Sequence, residues 1–203
     1  HEDAPLRGQH PYDVSKCCTE LIARAYHKTY HLPLAVARCG NIYGGGDLNW
    51  DRLIPGTIRA LLRGARPVIR SDGQFIREYL YVKDATAAYL ELAAQMDRAE
   101  VQGEAFNFSP DRHLRVLEVV ELISRLMRCQ TGEPVILNSA TGEITAQSLS
   151  SSKARRILGW STRWDLERGL TETIAWYRAF FHSTSRKRQA PSVPTCVRHP
   201  PPW

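Results

Sequence analysis

The chain has 203 residues, 43% of them apolar and 24% charged, a composition that suits one folded α/β-sized domain with a real core. No stretch approaches the roughly 18 consecutive apolar residues of a membrane span, and the polar start is not a signal peptide. The net charge of +6 argues little for nucleic acid, because Arg186, Lys187, Arg188 and Arg198 in residues 183–203 supply four of the six charges without an acid beside them.

In chain order, residues 12–30 read as a helix opened by Pro11, with Leu21, Ile22, Ala25 and Tyr26 on one apolar face. Leu32-Pro33 ends it, and residues 34–37 form a short apolar run fit for a buried strand. A Gly-rich loop, residues 38–47, follows directly. A second helix is predicted over 52–63, with Leu53, Ile54, Ile58, Leu61 and Leu62 as its apolar side. Val68-Ile69 reads as a strand, residues 71–73 as a turn and residues 79–82 as another strand. Asp84 is placed to cap an Ala-rich helix running to about residue 95. Residues 105–108 and 134–137 read as strands, and 116–128, 152–158 and 166–181 as helices. Strands and helices alternating at these lengths predict an α/β protein. Residues 183–203, basic and rich in Pro and Ser, are expected to be a disordered tail.

The chemistry lies in Tyr12 and Lys16. A four-residue step on a helix sets the phenol and the ammonium one turn apart on one face. A positive charge held beside a phenol favours the phenolate and lowers its pKa, which makes a general acid/base able to work near neutral pH. The bland reading is a surface helix that carries both residues at an ordinary spacing, so the pair needs support from elsewhere in the chain. Cys17, Cys18, Cys39, Cys129 and Cys196 are odd in number and form no C-x-x-C pair; they read as reduced thiols of a cytoplasmic protein. The seven His show no metal spacing, and no metal site is expected. No G-x-G-x-x-G follows any strand, so no segment of these residues reads as a cradle for a dinucleotide pyrophosphate. Together with a first residue other than Met, this is read as the C-terminal part of a longer protein.

Four separated motifs then occur in one order. They are Pro11-Tyr-Asp-Val-Ser-Lys16; Arg38-x-x-Asn41-x-Tyr43-Gly44; Gly73-Gln-Phe-Ile-Arg77-Glu-Tyr79-x-Tyr81-Val82-x-Asp84; and Phe106-Asn107 with Ser152-Lys153-Ala154-x-x-x-Leu158-Gly159-Trp160 and Gly169-Leu170-x-Glu172-Thr173-x-x-Trp176-Tyr177. From about residue 11 to 181 the chain resembles NAD-dependent epimerases/dehydratases of the extended short-chain dehydrogenase/reductase group. Gly44-Gly45-Gly46-Asp47 with Asp51-Arg52-Leu53-Ile54-Pro55 is most similar to CDP-glucose 4,6-dehydratases. The Arg77 to Asp84 segment is more similar to the dTDP-, UDP- and GDP-sugar enzymes, which leaves the base open.

The resemblance implies the C-terminal part of a Rossmann-like doubly wound parallel sheet with a small mixed α/β substrate-binding domain, over residues 1–182. It implies NAD as cofactor and a nucleotide sugar as substrate. Tyr12 would take the proton from the hexose 4-hydroxyl, and Lys16 would hold the nicotinamide ribose and lower the phenol's pKa. Gly40 would let the backbone approach the nicotinamide. Asn41 would bind the nucleotide sugar and Arg77 its phosphates, with a turn-forming Asn and a surface Arg paired to Glu78 as the plain alternatives. Arg52, Leu53, Val68, Arg70 and Asn107 fall where relatives contact the nucleotide; Leu53 and Val68 could equally be core, and Arg70 solvated. Transient C4 oxidation would lead either to loss of water across C5–C6 or to a change of configuration. A homodimer of the full-length protein is also implied, with no nucleic acid or membrane partner. Two other readings stay open: a nucleotide-sugar-binding module without catalysis, and an inactive truncated product.

Overall fold

In the computed structural model, which describes residues 1–139 and 144–189, helices are interspersed with single strands or short runs of strands. Helix α1 (Pro11–Tyr30) leads to strands β1 (Val36–Cys39) and β2 (Asn41–Tyr43), then helix α2 (Leu53–Leu62) and strands β3 (Val68–Ile69), β4 (Ile76–Arg77) and β5 (Tyr79–Tyr81). Helix α3 (Val82–Ala94), strands β6 (Ala105–Phe108) and β7 (Leu114–Arg115), helix α4 (Val116–Met127), strand β8 (Val135–Ile136) and helices α5 (Ser152–Leu158) and α6 (Leu166–Gln189) complete the order. Three strand pairs are parallel, β1 with β6, β2 with β5 and β3 with β8, while β4 and β7 run antiparallel. Parallel neighbours joined through helices are the α/β arrangement expected from the sequence.

The side-chain alternation of β5 divides the interior. Tyr79 and Tyr81 point to one face and join Tyr43, Ile58 of α2, Ile123 of α4 and Leu170 and Tyr177 of α6. Leu80 points the other way and joins Phe106 and Phe108 of β6, Ala88 of α3, Leu158 of α5 and Trp160. One three-residue strand therefore serves two cores. Gly169 fits this packing because a Cβ there would run into Tyr43 Oη.

Several boundaries differ from expectation. The first strand lies two residues later than the apolar run, at Val36–Cys39, and the loop after it contains β2. The cause is a change of neighbour. Gly40 N–H still donates to Phe108 O on β6 (3.0 Å), whereas Asn41 N–H donates to Glu78 O beside β5 (3.0 Å). Strands β2, β4 and β7 are two or three residues long, too short to show periodicity. Helix α6 continues past residue 181 to Gln189, and the rest of the expected tail, with Cys196, lies outside the described residues.

One further reading is corrected. Asp84 does not cap the Ala-rich helix, for which Tyr81 holds the N-cap position. Its carboxylate is 1% exposed and accepts the main-chain N–H groups of Arg163 (2.9 Å) and Trp164 (3.2 Å), while Trp160 Nε1 donates to its carbonyl (3.3 Å). Burial raises its pKa against the pull of those N–H groups. The apolar face predicted on α1 is not covered: Leu21 and Ile22 are each 58% exposed and Tyr26 is 51% exposed.

Asp84→Ala strands two main-chain donors in the joint between α5 and α6. The expected loss is about 3 kcal/mol of folding free energy, read from the denaturant midpoint; a change under about 0.5 kcal/mol contradicts the clamp.

Candidate functional site

Helix α1 begins at Pro11 behind an extended His10, with Asp13 in the first turn near the positive end of the helix dipole. Tyr12 and Lys16 occupy successive turns, with Lys16 Nζ 5.4 Å from the centre of the Tyr12 ring, and Tyr12 is 70% exposed. The phenol and the ammonium thus share one face and stand open to a ligand.

One turn further on lies Glu20, the single buried residue of α1. It meets Arg38 of β1 in a two-pronged pair, Nε to Oε2 at 2.9 Å and Nη2 to Oε1 at 2.6 Å. Arg24 adds a contact at 3.1 Å, and Arg38 Nη1 donates to Glu2 O at 3.0 Å. The hydrogen bonds from Arg38 hold the Glu20 carboxyl below its ordinary pKa, and Glu20 in turn raises that of Arg38. Sequence reasoning missed Glu20. Its signal was there, an acid four residues after Lys16 and four before Arg24, on the Tyr12–Lys16 side of the helix.

Arg38 stands two residues before Gly40, so the fork ties the Tyr12 helix to the strand that delivers Gly40 and Asn41. At that point the chain leaves β6 for β5. Ligands of open α/β sheets commonly bind in the crevice outside the carboxyl ends of the strands. Asn41 is exposed, and its main-chain N–H and its Nδ2 both donate to Glu78 O, at 3.0 and 3.2 Å. A cavity of about 10 Å³, the size of one water, is lined by Gly40, Asn41, Glu78, Gln147 and Leu149. Arg77, next along, donates from Nη1 to Ile76 O (2.9 Å) and lies with its guanidinium 5.4 Å from the Phe75 ring centre.

The remaining predicted residues divide into two groups. Arg52 pairs with Asp47 (3.2 Å) and Arg70 donates to Asp51 O (2.7 Å), so both hold the loop ahead of α2. Val68 is 54% exposed on β3. Leu53 packs against the α2–α4–α6 core. Asn107 sits opposite Arg38 in the β1–β6 register and is 1% exposed; its amide N and O have no partner among the described residues, while its main-chain N–H donates to Glu2 Oε1 (2.8 Å).

A larger cavity of about 210 Å³ lies elsewhere, between Tyr43, Tyr79, Arg112, Trp164 and Asp165, and contains none of the predicted residues. Burial pushes the Tyr79 phenol up to about 12 and the Tyr43 phenol higher still. Those phenols stay protonated near neutral pH and are poor bases. Among the described residues no group of three or more His, Cys, Asp and Glu is placed to hold a metal, and no helix is long and apolar enough to cross a membrane.

A family model for the NAD dependent epimerase/dehydratase family matches residues 1–108, which include Tyr12, Lys16, Gly40, Asn41 and Arg77. The chain belongs to this family. A dTDP-glucose 4,6-dehydratase of Actinoplanes sp. is 33% identical over 178 residues, covering 88% of this chain and 54% of the relative. Among solved structures, a Bacillus anthracis dTDP-glucose 4,6-dehydratase in complex with NAD matches with a TM-score of 0.79 and 30% identity, over 88% of this chain and 55% of that one. A Thermotoga maritima UDP-glucose 4-epimerase with UDP-glucose matches with a TM-score of 0.79 and 28% identity, over 86% and 55%. The Rossmann-like fold class expected from the sequence is thus met. The chain spans about half the length of the curated relatives it matches.

The Glu20–Arg38 pair sets a pH dependence. A carboxyl with a depressed native pKa adds stability that is complete above its ordinary value of 4.5 and is lost as pH falls through the native value. The stability gap between wild type and Glu20→Gln should be widest near pH 7 and close as the pH falls below 4.5 through the native value, while Glu20→Ala should cost about 3 kcal/mol at pH 7. A gap independent of pH contradicts the pairing.

Proposed function

We propose that this chain supplies the catalytic helix and the nucleotide-sugar side of an NAD-dependent nucleotide-hexose 4,6-dehydratase or epimerase that acts by transient oxidation at C4. The observation that carries this reading is the exposed Tyr12–Lys16 pair on a helix tied through Glu20 and Arg38 to the strand leading into Gly40 and Asn41. The names of the relatives support the substrate class.

The residues present fit NAD. Tyr12 and Lys16 are open to a ligand, and a Cβ built at Gly40 would meet nothing nearer than Glu78 O at 3.5 Å. NAD, when bound, supplies the hydride acceptor. Tyr12 would take the proton from the hexose 4-hydroxyl, and Lys16 would donate to the ribose hydroxyls. Asn41 has one amide hydrogen committed to Glu78 O, so Oδ1 and the other hydrogen are left for a sugar hydroxyl. Arg77 brings a planar fork that suits two diphosphate oxygens at once.

Arg52, Arg70 and Val68 would meet the nucleotide, whereas Leu53 and Asn107 would act on it through the residues they pack against. The exposed Leu21, Ile22, Tyr26 and Tyr30 of α1 support contact with a second copy in the full-length enzyme. The reduced thiols fit a cytoplasmic setting.

In the full-length protein Tyr12→Phe should lower kcat by about 10²–10⁴ with little change in KM. Arg77→Lys, which keeps the charge and loses the fork, should weaken dTDP-glucose or UDP-glucose binding about tenfold. Calorimetric titration of the chain itself separates the readings. Nucleotide-sugar binding with no role for Tyr12 in turnover favours a binding module. Failure of the full-length protein to bind any nucleotide sugar would sink the proposal.

A further inference from the structure

Glu78 occupies a position that the Tyr12–Lys16 chemistry does not use. It is an acid 2% exposed, between Arg77 and β5, and it makes four connections with two chemically distinct ends. Its main-chain oxygen receives both the N–H and the Nδ2 of Asn41. Its side-chain Oε2 receives the main-chain N–H of Leu149 at 2.8 Å. His113 Nε2 stands 3.1 Å from the other oxygen, which has no hydrogen bond of good geometry among the described residues.

The register shows why a side-chain acceptor of this length is used here. Residues 145–147 run parallel to β4 by ordinary main-chain pairing: Ile76 N–H donates to Thr145 O (2.9 Å) and Gln147 N–H to Ile76 O (3.2 Å). Two residues on, the next acceptor in line would be the carbonyl of Glu78. That carbonyl is taken by Asn41. The side chain stands in for it and carries the pairing one step further, to Leu149. A buried carboxylate left with so few partners is costly, so its position is not neutral for the fold.

We infer that Glu78 is a positioning residue: its carboxylate holds segment 147–149 against Gly40 and Asn41 and so fixes the wall of the ligand side at which the Asn41 amide is presented. The inference rests on the proposed reading of Asn41 as a ligand contact. The water-sized cavity lined by Gly40, Asn41, Glu78, Gln147 and Leu149 is the result of that fit. A shorter acid cannot reach Leu149 from the same backbone, whereas an amide of equal length can still accept its N–H.

The test compares Glu78→Gln, Glu78→Asp and Glu78→Ala in the full chain. The readouts are amide hydrogen exchange by NMR and titration with dTDP-glucose. Expected for Glu78→Ala is Leu149 exchange at least about tenfold faster and dTDP-glucose affinity about tenfold lower, with the amides of α2 and α4 exchanging as in wild type. Glu78→Gln should stay within about threefold of wild type on both readouts, and Glu78→Asp should resemble the alanine variant. Unchanged Leu149 exchange in Glu78→Ala overturns the inference, as does a Gln variant that behaves like alanine. If the alanine variant does not fold, the order of Gln over Asp still decides, since the reverse order would mean that charge and not reach matters. If the wild-type chain binds no dTDP-glucose, the proposed function is what fails, and the exchange arm judges the role of Glu78 by itself.

Discussion

The buried fork between Glu20 and Arg38 is the constraint on which the candidate site depends. Helix α1 buries no apolar side chain among the described residues, so its seat on the sheet is not fixed by the packing that fixes most amphipathic helices. A two-pronged carboxylate–guanidinium pair defines distance and orientation together, which a single apolar contact cannot do. Removing one partner would leave the other charged and unpaired in a half-buried place, so the pair specifies geometry more than it adds stability. Any chemistry by Tyr12 and Lys16 on a ligand at Gly40 and Asn41 needs that geometry.

On the strand side, the geometry is set by a change of partner within a single step. Gly40 is bonded to β6 and Asn41 to the β5 side. The strand end therefore opens between two sheet pairs, with the first main core on one face of β5 and the second on the other. Tyr79 and Tyr81 are committed to one core and Leu80 to the other, leaving Glu78 and Arg77 as the first residues of that run that can turn toward the opening. The acid and the base at this edge follow from the alternation. A strand that serves two cores has no polar position until it ends.

How much of this was legible depends on the length of each signal. The long helices showed their period, and the strand at 105–108 its composition, because burial selects β-branched and aromatic residues. The Tyr12–Lys16 spacing was legible because it is local, fixed by one helix turn. Strands β2, β4 and β7 were not, since Asn41, Arg77 and Arg115 interrupt the apolar composition that marked the other short strands. The apolar face of α1 was legible from its spacing, but periodicity reports what a face could bury, not what lies against it. Asp84 was misread for a related reason. An acid at the start of a helix looks like a cap, yet its partners at 163 and 164 are about eighty residues away and leave no trace near it.

Glu20, Glu78 and Asp84 share one feature. Each is a buried acid with a partner on a different element, and each joins two segments: a helix to a strand, a loop to a strand end, and the α5–α6 connection to α3. Apolar contacts tolerate sliding, because their energy follows area and not direction. Hydrogen-bonded carboxylates do not tolerate it, because a short displacement strands a charge in a low-dielectric setting. In this chain the apolar clusters gather the elements and the buried acids set where they stop. The two acids nearest the Tyr12 helix and Asn41 are the ones that a ligand would feel.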